Sequence, residues 1–407
     1  MCIKKLTINT VLTNDVGVKD KNLLIISHTY NDFVKDQTET IAQHFKKISV
    51  CVRYNIAVKY LSYLPVHRFK NYTPSRHLDV YNMPQNMTLY PSEIFYLPSD
   101  SQDKKLGNLH VSQVKKTIEK NRIPFDLIHS HFTWSAGYAG ARIKEEYNTP
   151  FVVTAHGYDI YSLPFKDDDW REKIEYVLNT ADRIITVSRS NLACIEKLNV
   201  TTPTRVIPNG FCRSLFYPRD SSECRRVLAL PLDKKIVLSV GMLEPVKGYP
   251  YLIDAIQRII PERKDILFVI VGGGSLRAVL ERQIRSRGLE DYVRLAGSKP
   301  HDEISLWINA SDLFVLPSLN EGNPTVMFEA LGCGKPFVGT NVGGVPDVII
   351  SDTYGLLARP SDAGDLAEKI LIALDRTWDR EEIVRYADHF TWEEISKEII
   401  KVYHSVL

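Results

Sequence analysis

The stretch Leu313-Phe314-Val315-Leu316-Pro317-Ser318-Leu319-Asn320-Glu321-Gly322-Asn323-Pro324-Thr325-Val326-Met327-Phe328-Glu329 decides how the rest of the chain is read. Residues 313–317 are an apolar run with the composition of a buried strand. Gly322 and Asn323 supply a tight turn, Pro324 suits the first helical position, and 325–331 opens a helix. Two carboxylates bracket this strand-to-helix turn. Glu321 stands on the loop, and Glu329 is expected about two turns along the helix. The free amides of such a helix start attract phosphate. A carboxylate beside them repels phosphate but suits sugar hydroxyls. Taken alone, such a pair more often is a capped helix start, with Glu321 as the cap and Glu329 a solvated face residue, so the flanking sequence has to decide.

The strand–helix alternation extends on both sides. Upstream, 235–241 reads as a strand, 242–248 as a loop and 251–260 as a helix. Lys247 on that loop is placed to reach a phosphate as a point charge. A second strand, 266–271, ends in Gly272-Gly273-Gly274-Ser275, which lacks the G-x-G-x-x-G spacing and acidic partner of a dinucleotide site. Strand 292–297 leads through Ser298 and Lys299 into a helix over 301–309. Downstream come a strand at 334–340, a loop at 343–347, a short strand at 354–357 and a helix over 362–374. The last segment, 392–407, is amphipathic, with Ile395, Ile399, Val402 and Tyr403 on one face.

The first half repeats the pattern less plainly. Strands are expected at 23–27 and 49–57, a strand pair within 88–97, and strands at 126–131, 151–155 and 183–188. Helical spacing covers 33–45, 109–121, 134–146, 170–180 and 190–198. The 126–131 strand carries His129 and His131, expected to face opposite ways with one toward a cleft. The 151–155 strand ends in His156-Gly157, and the glycine's bend presents His156 at the sheet's carboxyl edge. A basic, aromatic excursion at 59–72, with Arg76 and His77, reads as a solvated connection in preference to a lipid- or acceptor-gripping one.

Pro208-Asn209-Gly210 and a turn-rich junction up to residue 233 separate two successive arrays. The fold class expected is therefore α/β, with two doubly wound domains, 1–208 and 209–385, and a closing helix at 386–407. Ligands of such sheets gather at the carboxyl ends of the strands and between domains.

Bulk properties agree with that division and exclude several functions. At 407 residues the chain exceeds one typical core. Lys plus Arg, 51, balances Asp plus Glu, 49, so no overall field favours nucleic acid. The six cysteines form no C-x-x-C pair and no zinc spacing, and read as reduced thiols. No apolar run approaches the ~20 residues of a membrane span. The location expected is cytoplasmic, with membrane contact only at the surface of the N-terminal domain.

Four separated stretches, in order, resemble the retaining glycosyltransferases of family 4, which have the two-Rossmann-domain GT-B architecture. They are Thr154-Ala155-His156-Gly157-Tyr158-Asp159, Gly241 through Lys247-Gly248, the turn Gly272-x-Gly274-x-Leu276, and Glu321 to Glu329. Val206-Ile207-Pro208-Asn209-Gly210 is similar to the family's interdomain linker. The resemblance implies transfer of a sugar from a nucleotide-diphosphate sugar to a glycan, lipid-linked or small-molecule acceptor. It places His156 under the donor sugar, Lys247 on the pyrophosphate, Glu321 on sugar hydroxyls and Glu329 on the ribose. Gly241, the Ser298 loop and the turn Gly322, Asn323, Pro324 and Thr325 complete the donor site. No cofactor or metal is implied, and the last helix is expected to cross back to the first domain. Two departures stand out: the first strand lacks a following Gly-Gly loop, and Met242 occupies the usual arginine position. The competing readings are a sugar-nucleotide 2-epimerase of the same architecture and a non-catalytic nucleotide-binding partner subunit.

Overall fold

The structure, a computed structural model, describes residues 18–56, 83–96 and 99–407. The excursion at 59–72, Arg76, His77, Cys2 and the end of the 88–97 stretch lie outside the described residues. Two parallel sheets organise the chain. The first contains β1 (Asn22–Ser27), β2 (Lys47–Asn55), β3 (Met87–Ile94), β4 (Leu127–His131), β5 (Phe151–Ala155), β6 (Arg183–Thr186) and β7 (Thr204–Val206). Their order is β3-β2-β1-β4-β5-β6-β7. The second contains β8 (Lys235–Val240), β9 (Ile266–Val271), β10 (Val293–Gly297), β11 (Leu313–Leu316), β12 (Phe337–Thr340) and β13 (Gly355–Ala358). Their order is β10-β9-β8-β11-β12-β13. The expected strand pair at 88–97 is a single strand, β3, paired in parallel with β2. A parallel neighbour needs a crossover connection, which a hairpin cannot provide.

These strands read as apolar runs because helices cover both faces of each sheet. Along β1, Leu24 and Ile26 enter one buried cluster with Ile128 and Phe151, while Leu23 and Ile25 enter another with Ile48 and Val152. Each sheet reverses its winding beside its first strand, between β1 and β4 and between β8 and β11. Those two crevices are where carboxyl-end loops diverge and leave room for ligands.

The closing helix, Trp392–His404, buries Trp392, Ile395, Ile399 and Tyr403 in the cluster beneath the first sheet. Burying side chains of this size contributes about 1.5–3 kcal/mol each. The two chain crossings run side by side: Phe211 N–H donates to the Phe390 carbonyl (3.0 Å), and Trp392 N–H to the Phe211 carbonyl (3.1 Å). Among the described residues, no helix is long and apolar enough to cross a membrane.

Candidate active site

On the second sheet, the loop after β8 is seated on the loop after β11. Gly248 adopts φ +65°, and a Cβ there would lie 2.0 Å from the Pro317 carbonyl oxygen, so only glycine permits this contact. Leu319 N–H donates to the Val246 carbonyl at 2.7 Å and pins the two loops together. The result brings Lys247 Nζ to 2.6 Å from Glu321 Oε1. Ser318 Oγ donates to that same oxygen at 2.6 Å. The lysine stem passes beside Gly241. Met242 is 63% exposed and brings no charge. Gly272 and Gly274 sit where the loops following β8 and β9 touch backbone to backbone, so the glycine run is used for packing.

The helix after the turn spans Thr325–Gly332, with Pro324 as its cap residue and no side chain bonded to its first amides. Glu329 therefore lies just over one turn in, not two, because four residues separate it from the helix start. Its carboxylate is buried and meets His301 Nε2 at 2.8 Å. His301 opens the helix His301–Ala310 three residues beyond Ser298. It was not picked out from sequence, although a histidine opening a helix beyond a strand's carboxyl end was an available signal. Ser298 lies against Gly273. Asn323 faces the linker: it accepts from Asn209 N–H at 2.9 Å through Oδ1 and from Asn209 Nδ2 at 2.8 Å through its carbonyl. Its side chain is thus a strut between the two halves.

On the first sheet, β5 runs into His156 and Gly157. The buried Asp159 carboxylate accepts from the amides of Thr133 (2.8 Å), His156 (3.1 Å) and Gly157 (2.7 Å). Burial raises its pKa while those amides lower it. This aspartate therefore fixes the turn that presents His156. The His156 ring is buried between Phe33 (4.9 Å) and Phe132 (4.6 Å), and its Nε2 lies 3.1 Å from His131 Nδ1. His156 Nδ1 is buried without a partner.

His129 and His131 do not face opposite ways. Their rings are 4.5 Å apart, because residues two apart on a strand share a face. His129 is bonded at both nitrogens, to the Tyr403 hydroxyl (2.7 Å) and to Thr154 Oγ1 (2.8 Å), and is structural. His131 alone of the two touches His156. Burial lowers all three imidazoles. His131 falls to about 3, and His129 and His156 fall well below the ordinary value, His156 also through His131, His129 and His28. They are neutral at pH 7.

The two edges meet. A Cβ on Gly322 would lie 2.0 Å from the His156 carbonyl oxygen, so the glutamate turn rests directly on the histidine turn. Arg189 N–H also donates to Asp347 Oδ2 at 2.7 Å across the divide. Tyr161, overlooked in the sequence, comes from the first-sheet side. Its phenol is raised by burial and by Glu321 and Asp159. The structure thus gathers His156, Lys247, Glu321 and Gly322 at one junction. Glu329 lies one helical turn beyond Thr325, and Ser298 sits near its His301 partner. Among the described residues, no group of three or more His, Cys, Asp or Glu is arranged to hold a metal ion.

Comparison with known proteins bears on the family and the fold. Residues 220–390 match the model for glycosyl transferases group 1, and 73–213 match that for glycosyltransferase family 4. An uncharacterized glycosyltransferase of Methanocaldococcus jannaschii is 30% identical over 72% of this chain and 78% of its own length. A D-inositol 3-phosphate glycosyltransferase of Thermobispora bispora is 29% identical over 70% of this chain and 71% of its own length. Among solved structures, sucrose-phosphate synthase from Thermosynechococcus elongatus superposes with a TM-score of 0.79 at 24% identity, covering 95% of this chain and 99% of that one. Anabaena HepE in complex with UDP gives a TM-score of 0.71 at 23% identity, covering 95% of this chain and 100% of that one. With two parallel-sheet Rossmann-like units of GT-B type and matches spanning both halves, the chain belongs to the group 1 glycosyltransferases of family 4.

Proposed function

We propose that this chain transfers a hexose, with retention, from a nucleotide-diphosphate sugar to a hydroxyl of a glycan, lipid-linked or small-molecule acceptor in polysaccharide or glycoconjugate biosynthesis. The observation that carries the reading is the junction itself: the Lys247–Glu321 pair at one sheet's edge, followed by Gly322, which rests on the backbone of His156 at the other's. As the anomeric carbon–phosphate oxygen bond breaks, charge grows on the departing diphosphate. On this reading Lys247 and the uncapped start of helix Thr325–Gly332 neutralise it, with no metal ion or cofactor invoked. The acceptor oxygen bonds the anomeric carbon on the face the diphosphate leaves, and its proton passes to a departing phosphate oxygen.

Glu321 exchanges Lys247 for sugar hydroxyls, with Ser318 holding one carboxylate oxygen in place. Glu329, steadied by His301, takes the ribose. His156 is neutral and has a free Nδ1, which suits hydrogen bonding to the sugar better than service as a charged acid. HepE was solved with UDP-glucose, which makes UDP-sugars the first donors to try.

Thermal-shift screening of nucleotide sugars identifies the donor, since a ligand of the folded state raises its apparent stability. Incubation with that donor and an acceptor panel, with NMR assignment of the new anomeric centre, then tests transfer. A product that keeps the donor's anomeric configuration supports the reading. Conversion of UDP-GlcNAc to its 2-epimer without acceptor, or donor binding without any turnover across the panel, overturns it.

A further inference from the structure

Among the described residues Arg53 makes no ion pair, and its only acceptors are hydroxyls, those of Ser135 and Tyr96. It is the first residue of β2 beyond the end of β1, whose last paired residue, Ser27, faces Val52. Its guanidinium therefore reaches over the carboxyl end of β1, across the crevice where the sheet reverses, to the loop after β4. There Nη1 donates to Ser135 Oγ at 2.9 Å. Tyr96 covers it, with the ring centroid 5.3 Å away. A guanidinium has five N–H donors. Burial of such a charge is unfavourable unless it is paired. Asp103 acts on Arg53 through space but makes no ion pair with it.

A second unsatisfied group stands beside it. His110 is fully buried, its Nδ1 lies 3.0 Å from the same Ser135 Oγ, and its Nε2 has no partner. The placement is built, not incidental. His110 and Gly107 lie on one face of helix Asp100–Asn121, and a Cβ at Gly107 would lie 2.6 Å from the Trp134 ring. Trp134 Nε1 donates to the Asp103 carbonyl at 2.8 Å, locking the helix onto the 133–137 loop. Ser135 is three residues beyond Phe132, whose ring packs on His156.

We infer that Arg53, His110 and Ser135 form an anion site of the first domain that takes a phosphate group carried by the acceptor. A planar fork of N–H donors and an imidazole, brought from different elements to the same Ser135 hydroxyl, suits a tetrahedral group with several oxygens. The anion site stands on the placement of Arg53, His110 and Ser135. Its assignment to the acceptor rests on the transfer reading above.

The test uses the intact protein labelled with 15N-histidine and titrated with inorganic phosphate. The His110 ring signal, identified by its loss in His110→Asn, shifts saturably. Arg53→Gln raises the half-saturating concentration by about tenfold or more, as loss of a charge-assisted bond requires. Lys247→Ala, which weakens phosphate binding at the donor pyrophosphate position, leaves the His110 titration unchanged. A His110 signal that phosphate does not move, or one that Lys247→Ala abolishes and Arg53→Gln does not, overturns the site. If Arg53→Gln fails to fold, the wild-type titration still decides. Displacement by glucose 6-phosphate identifies a soluble phosphorylated acceptor. Displacement only by phosphatidic acid vesicles identifies a lipid headgroup. None of these readings needs glycosyl transfer, so failure of the anion site and failure of the transfer reading are separate results.

Discussion

The two sides of the junction are built on opposite electrostatic plans. On the second-sheet side the polar groups are already matched to each other, Lys247 to Glu321 and His301 to Glu329. On the first-sheet side three imidazoles are packed among aromatic rings, held neutral by burial, and two of them keep an unsatisfied nitrogen, His131 Nε2 and His156 Nδ1. One side works by exchanging partners. A ligand there replaces bonds that exist, so binding costs little desolvation beyond that already incurred. The other side works by presenting an incomplete neutral bond. The contrast suits a charged leaving group on one side and an uncharged hydroxyl on the other.

The sharpest way to break that contrast is to remove the exchangeable pair. Lys247→Ala is expected to lower kcat by about 10²–10³, the range for a donor aimed at developing charge. Glu321→Gln lowers it too, and the double change costs less than the sum, because each single change strands the other partner. Steady-state kinetics with the identified donor checks this, and fully additive losses would show that the pair does not act as a unit.

Gly322→Ala tests the contact between the sides. Its new Cβ cannot occupy a point 2.0 Å from the His156 carbonyl oxygen, so the turns must separate. A shift near 1 Å costs about 10² in rate. Transfer is expected to fall by that factor while donor binding, measured by calorimetry, persists. Equal loss of both would mean that the glutamate turn itself has collapsed.

The sequence showed the second-sheet side more clearly than the first. Its elements are apolar runs ended by glycine or proline, and the Glu321–Glu329 spacing could be read as a turn between a strand and a helix. The partners in space were not legible. Nothing in one dimension ties Lys247 to Glu321, since their contact depends on Gly248 seating one loop on another. His301 could have been noticed as a histidine opening a helix beyond a strand's carboxyl end, but its partner Glu329 could not. On the first-sheet side His156 was found from the glycine after it, but the orientation of His129 and His131 was misjudged, although the two-residue repeat of a strand settles it. Arg53 gave no signal, because a lone arginine in a strand becomes informative only when its partners are known.

A smaller effect belongs to the first-sheet side alone. His110 and His131 are lowered to about 3, and His129 and His156 are lowered in the same direction. Below the ordinary value of 6.5 the unfolded chain binds protons that the folded chain refuses. Stability is therefore fully present above pH 6.5 and falls as pH drops from there toward about 3. Each such histidine contributes a slope approaching ~1.4 kcal/mol per pH unit. Urea unfolding at pH 7, 6 and 5 measures the total. His131→Gln is expected to flatten the slope by about one histidine's share, and an unchanged slope would show that His131 takes up protons in the folded state.

The mildest test concerns how the chain end supports the histidine array. Tyr403 comes from the closing helix, 274 residues away from the His129 it bonds. Its ring is fully buried and packs on Phe45, so Tyr403→Phe keeps the apolar contacts and removes only the hydroxyl. The loss leaves His129 Nδ1 unpartnered in the core, at a cost of about 1 kcal/mol. If that bond holds only the closing helix, thermal stability falls and kcat stays near wild type. If it also sets the tilt of His129 against His131, 4.5 Å away, and so of His156, kcat falls in step while KM for the donor does not move. The second outcome would extend the first-sheet side of the junction to the last turns of the chain. The first would confine it to the ends of β4 and β5, where the unsatisfied nitrogens are.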